Sequence, residues 1–209
     1  VIGAESLSGN GANLIRERTM ASRVQEALER LYGVDRVADV ADFLDRADDG
    51  QRETLVVRED PGGNVLVSLK LPALGRGAGL DAFCQVIEGV SHFVYVMERV
   101  RTGRAATRLE LELQAEVDKW VVLAASMGSL DAGSSAALRA RLYERVAFVH
   151  EATTELGERY RVANDAANRF VRRLERDCVG TARFVELRTR LREFFHVGQE
   201  EKLRLGRAA

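Results

Sequence analysis

The stretch Leu109–Trp120 reads LELELQAEVDKW, with acidic residues threaded through a segment too apolar to sit on a surface. At about 100° per residue, Leu109, Leu113, Val117, Trp120 and Ala124 line one helical face. Leu111, Ala115 and Val122 form a second apolar stripe roughly opposite. Glu116 falls within the first face, and Glu112 and Lys119 lie in the seam between the two. A carboxylate there must be paired, hydrogen-bonded, protonated or functional, because an unpaired buried charge is strongly unfavourable. A helix that is apolar on both sides belongs among other helices, so Thr107–Met127 is the predicted axis of a helical bundle.

The segments on either side supply the rest of that bundle. Leu80–Arg101 carries a broad apolar face of Phe83, Val86, Ile87, Val90, Phe93, Val94 and Met97. Ser134–Val149 repeats Leu138, Leu142, Val146 and Val149 at helical spacing, and Glu155–Val179 sets Leu156, Tyr160, Ala163, Phe170 and Leu174 on one side. Thr181 is placed to cap a last helix whose core side is Phe184, Leu187, Leu191 and Phe194. Upstream, Val24, Leu28, Leu31 and Tyr32 predict a helix stopped by Gly33, followed by an acidic link. The period then changes to two. Thr54–Glu59 and Asn64–Leu71, joined through Asp60-Pro-Gly-Gly, predict an antiparallel β-hairpin with Val65, Val67, Leu69 and Leu71 on one face and Ser68 and Lys70 on the other. The expected fold class is α+β, predominantly α: a helical bundle over about 80–205 with one N-terminal hairpin over about 53–71. Residues 1–19 read as a flexible tail, with Met20 a candidate start, and 20–209 as a single globular domain.

Composition sets the outer bounds. The 209 residues are 46% hydrophobic and 30% charged with a net charge of −1, which describes an ordinary globular chain without a global attraction to nucleic acid or anionic membrane. No apolar run approaches the roughly 20 residues a membrane span needs, and the first residues lack the pattern of a signal peptide. Cys84 and Cys178 are expected as reduced thiols in a cytoplasmic protein. Lys70, Lys119 and Lys202 are the three lysines among 31 basic residues; the rest are arginine.

The phrases EGVSHF (Glu88–Phe93), LELELQAEVDKW (Leu109–Trp120), ERYRVAN (Glu158–Asn164) and LREFF (Leu191–Phe195) resemble those of a family of short bacterial proteins of uncharacterised function, over about Met20 to Leu205. The resemblance implies a bacterial source and a single domain. It carries no activity, substrate or cofactor.

The residues support four functional readings. The first is a carboxylate and histidine site: Glu112, Glu116 and Lys119 on one helix, and Gln85, Glu88, His92 and Arg99 on a polar stripe of the preceding one. Packed antiparallel, these helices would bring Glu88 and His92 toward the Glu112–Glu116 seam. His92, Glu112 and Glu116 would then be candidate ligands for manganese, iron or zinc, and the same residues with Glu88 and Lys119 candidate catalytic groups. Its bland rival is an internal salt-bridge network, Glu116 with Lys119 or an arginine. The second reading is a ribonuclease, because Arg145-Val-Ala-Phe-Val-His150 resembles the Arg-x4-His motif of the all-helical HEPN superfamily. That motif implies histidine as acid or base and arginine on the phosphate; Val146 departs from it, since the family places a polar residue there. The third is nucleic-acid binding through residues 169–207, where 11 Arg/Lys stand against six Asp/Glu. The acids interleave the arginines, so this is not the favoured partner. The fourth is a protein-interaction module, regulatory or adaptor, with a protein partner or a second copy of the chain. No phosphate-binding glycine loop, nucleophile elbow or Cys/His cluster is present in the sequence, and no cofactor is indicated. This fourth reading is the expectation, with the enzyme or metal-binding protein as its alternative.

Overall fold

A computed structural model of the chain describes residues 2–4, 15–48, 50–61, 65–75 and 77–207. About 65% of it is helical, so the predominantly α, α+β class holds. The chain divides into two compact units, residues 1–30 with 34–104 and residues 31–33 with 105–209.

The first unit is built on a strand with neighbours on both edges. Its elements are β1 (Ile2–Ala4), α1 (Ile15–Tyr32, whose last residues belong to the second unit), a 3₁₀ turn (Val40–Phe43), β2 (Leu44–Arg46), β3 (Thr54–Glu59), β4 (Val65–Leu71) and α2 (Leu80–Arg101). β4 pairs antiparallel with β3 from Thr54↔Lys70 to Glu59↔Val65. It also pairs parallel with β1 at Ile2↔Val65 and with β2 at Leu44↔Leu69. The β element is therefore a mixed sheet and not the lone antiparallel hairpin expected over 53–71. The difference comes from β1 and β2, each of three residues, too few to show an alternating pattern. The expected turn glycines Gly62 and Gly63 lie outside the described residues.

A sheet with neighbours on both edges also changes Ser68. It is buried beside Val67 and Leu69, and its hydroxyl has no hydrogen-bond partner among the described residues. α2 lies against the other side of β4 at Gly89, where an added Cβ would sit 2.8 Å from Leu69 Cδ1. Phe43 and Phe93 meet with ring centroids 5.2 Å apart, closing the core over the 3₁₀ turn. Gln25 of α1 fastens that turn by donating to Ala38 O at 2.7 Å and accepting from Val40 N at 2.8 Å. α1 starts five residues before Met20, so Ile15–Thr19 belong to a helix and not to the expected tail. The buried Glu17 carboxylate accepts from Leu74 N.

The second unit is helical. α3 (Arg108–Ala125) opens with a reciprocal capping box between Thr107 and Glu110. α4 (Ala132–Arg139) continues into a π turn at Ala140–Glu144, and α5 (Glu155–Leu174) into another at Glu175–Val179. α6 (Phe184–His196) and α7 (Gln199–Arg207) complete it. Two expectations need correcting here. The helix predicted to reach Val149 ends at the first π turn, because the wider turn rotates the following residues off the helical face. Thr181 does not cap α6; it donates back to Asp177 O at 2.8 Å, and Arg183 holds the cap position. α3 packs on α5, and α5 on α7. Phe170 and Phe194 stack at 4.4 Å, as do Tyr32 and Phe195 at 4.2 Å. Among the described residues no helix is long and apolar enough to cross a membrane.

The α5–α7 contact depends on Gly206, where an added Cβ would lie 2.9 Å from both Ala166 Cβ and Ala166 O. A backbone oxygen cannot rotate away. Gly206→Val is expected to lower stability by about 1–3 kcal/mol, read as a shift of the urea midpoint at unchanged slope. Gly128→Ala, where an added Cβ meets nothing, is the neutral control. Equal midpoints for the two variants would remove Gly206 from the packing argument.

Candidate functional site

Every residue from Glu112 to Trp120 is buried, so α3 offers no water-facing side over this stretch and its polar groups must be satisfied internally. Glu116 accepts from Lys119 Nζ at 2.7 Å, both side chains nearly nine-tenths buried. Glu112 stands 3.9 Å from Arg159 Nε, and Arg159 also reaches Glu155 at 3.6 Å. Tyr143 donates to Glu116 O at 2.7 Å, and Asn164 holds Tyr143 O at 3.1 Å. Three of the candidate residues, Glu112, Glu116 and Lys119, thus sit on α3 in ion pairs within the second unit.

A second set of polar residues on the same helix escapes the sequence reading. Lys202 of α7 is 0% exposed, and its Nζ donates to Gln114 Oε1 at 2.6 Å and Phe194 O at 2.6 Å, 4.2 Å from the Phe194 ring centre. The Gln114 amide nitrogen donates to Asp118 Oδ1 at 3.0 Å and to the Tyr32 hydroxyl at 3.1 Å. Tyr32 in turn donates to Asp118. The orientation of the Gln114 amide is set by its neighbours: the ammonium takes the oxygen and the carboxylate takes the nitrogen. Burial, followed by the charge of Asp118, pushes the Tyr32 phenol well above its ordinary range. One signal for this network is in the composition. In a chain that writes nearly every cation as arginine, two of the three lysines, Lys119 and Lys202, are buried.

The remaining candidates, Glu88 and His92, are on α2 in the first unit. They are one turn apart, with Glu88 buried and His92 half-buried, and their donor atoms lie within 4.8 Å. One turn earlier, Gln85 donates to Asp81 at 2.7 Å and accepts from Glu53 N at 3.4 Å. Asp81 and Gln85 border a cleft of about 470 Å³ at the carboxyl ends of β2 and β4, with Arg46, Asp48 and Arg52 across it. Its charges balance, and Arg52 stands 3.6 Å from Asp81.

The ribonuclease-like pair is arranged differently from its motif. Arg145 and His150 come after the first π turn in a non-helical segment, so no helix presents them together. Arg145 is exposed, and the His150 ring stacks on Tyr160 with centroids 5.6 Å apart. Among the described residues Cys84, half-buried, and Cys178, buried, are in no disulfide. Compared with models of protein families, with curated proteins and with solved structures, the chain matches none.

Two predictions test the buried network. Lys202→Met leaves Gln114 Oε1 and Phe194 O without their donor, and is expected to cost about 3 kcal/mol in urea denaturation. Because folded Tyr32 keeps its proton to higher pH than the unfolded chain does, its contribution is complete below the ordinary tyrosine value near 10 and is lost as pH rises through the folded value. Stability should therefore fall above about pH 10 in the native protein and fall less in Tyr32→Phe. Parallel alkaline curves would remove Tyr32 from the titrating core.

Proposed function

We propose that this protein works as a contact module, regulatory or adaptor in kind, and that the connection between the first π turn and α5 is the segment it presents to a protein partner. The observation that carries this reading is an apolar loop held in water by dedicated braces. Val146 and Phe148 are exposed, and Val149 is 71% exposed. Beneath them, the Arg161 guanidinium lies 4.5 Å from the Phe148 ring centre and donates to His150 O at 3.1 Å. The Thr154 hydroxyl caps α5 at Gly157 N and donates to Glu151 O at 2.8 Å. Gly157 completes the arrangement, since a Cβ there would lie 1.9 Å from Glu151 O. A loop fixed in this way displays apolar side chains at little ordering cost on binding, which is the property of a recognition segment.

Direct nucleic-acid contact is less well supported, because several arginines of the C-terminal third are paired with carboxylates. Arg190 bridges Asp177 at 2.7 Å and Glu186 at 2.5 Å, Arg183 pairs with Glu186, and Arg204 pairs with Glu201. Hydrogen bonds from Arg176 and Arg190 hold the Asp177 carboxyl down at about 2. Phosphate binding would have to compete with these pairs.

A photo-crosslinking side chain at position 149 is expected to trap one discrete protein species, another copy of the chain or a different protein, whereas the same group at the exposed Asp165 traps none. Val149→Glu should weaken that association at least tenfold with an unchanged melting temperature, as substitutions at the centre of a contact do. Gly157→Ala should weaken it through the loop alone. Equal crosslinking at 149 and 165 would overturn the assignment.

A further inference from the structure

From the pair on α2 we infer a second, separate property: Glu88 and His92 are two ligands of a divalent transition-metal site in the first unit. The inference does not rest on the loop of the second unit. Residues i and i+4 of a helix project from the same side one turn apart, so the backbone itself directs both donors to one place. Their donor atoms are already within 4.8 Å of one another. An ion bound at roughly 2.0–2.2 Å from each donor needs them about 3 Å apart, a change that side-chain rotation supplies without moving the helix.

The donor set names the class of ion. One imidazole and one carboxylate suit zinc, manganese or iron, whereas calcium and magnesium prefer oxygen alone. Glu88 is 3% exposed, so a dication bound there would be held in a site shielded from bulk water. His92 is half-buried as a residue, with its Nε2 buried. The platform is rigid. Gly89, between the two ligands in sequence, seats α2 on Leu69 and Leu71 of β4, and Gln85 one turn earlier is fixed to Glu53 N and Asp81. Ligands on a helix whose position is set by packing are held more closely than ligands on a loop. The rival account is a structural Glu–His pair that holds a proton in place of a metal.

The test is zinc titration of the metal-stripped full chain against a chromophoric chelator, repeated with Glu88→Gln and with His92→Ala. One equivalent should bind at pH 7.5, and at least tenfold more weakly in either variant. Circular dichroism of each metal-free variant separates loss of the site from loss of the fold. If Glu88→Gln does not fold, the zinc-dependent shift of the His92 ring protons in the native protein decides the question. No stoichiometric zinc, binding equal in all three proteins, or an unmoved His92 resonance would overturn the site in favour of the protonated pair.

Discussion

An ammonium group and a carboxylate inside one apolar unit require something that offers an acceptor to the first and a donor to the second. In this protein that group is the side-chain amide of Gln114. Its oxygen receives Lys202, and its nitrogen reaches Asp118 and the Tyr32 hydroxyl. The partners come from the end of α1, from α3 and from α7, and Lys202 also holds a carbonyl of α6. Neutral residues of the same shape would bury without this network, but removing one member alone strands the others. The placement of α7 obeys the same constraint. Lys202 is drawn to α3, while Gly206, one turn later, permits close approach to Ala166 of α5. Nine residues at the end of the chain are thereby located by one cation and one missing methyl group.

A related economy joins the two π turns. Arg139 precedes the first and Glu175 opens the second, and they pair at 2.7 Å with the Ser135 hydroxyl donating to the other carboxylate oxygen. Arg139 also reaches Asn168 and Glu144. A π turn inserts an extra residue and rotates the chain beyond it, a departure that survives where tertiary contacts hold it. Here it turns Tyr143 inward to Glu116 O and sends Val146 to the surface.

The same departure separates the legible elements from the illegible ones. α2 is legible to the residue because its apolar face is unbroken from Phe83 to Met97, and α3 to within two residues of the predicted Thr107–Met127 because both its stripes run through it. The helix through Val149 is misread for the same reason: Leu138, Leu142, Val146 and Val149 keep helical spacing, and spacing carries no sign of a π turn. β2 is too short to show a period. Among the candidate site residues, Glu116 and Lys119 stand out because they interrupt apolar stripes. Gln114 and Asp118 do not, because one-dimensional periodicity assigns a polar position to solvent, and only the packed unit shows that α3 has no solvent side there. Lys202 lies in a stretch of charges, EEKLR, where a single buried cation looks like its exposed neighbours.

Val146 and Val149 connect the misread helix to the contact reading. They are spaced as core residues and yet stand in water, beside Phe148, on a segment that Arg161, Tyr160, Thr154 and Gly157 hold in place. Apolar exposure by itself is ordinary on protein surfaces. Apolar exposure on a loop with several braces is different, because each brace lowers the loop's own freedom and gains the free unit little burial. The same braces also cap α5 and hold the free fold, and for a second surface covering the valines they would mean less ordering left to do on contact. The braces on the loop and the exposure of its apolar side chains are the two observations on which the proposed protein contact rests.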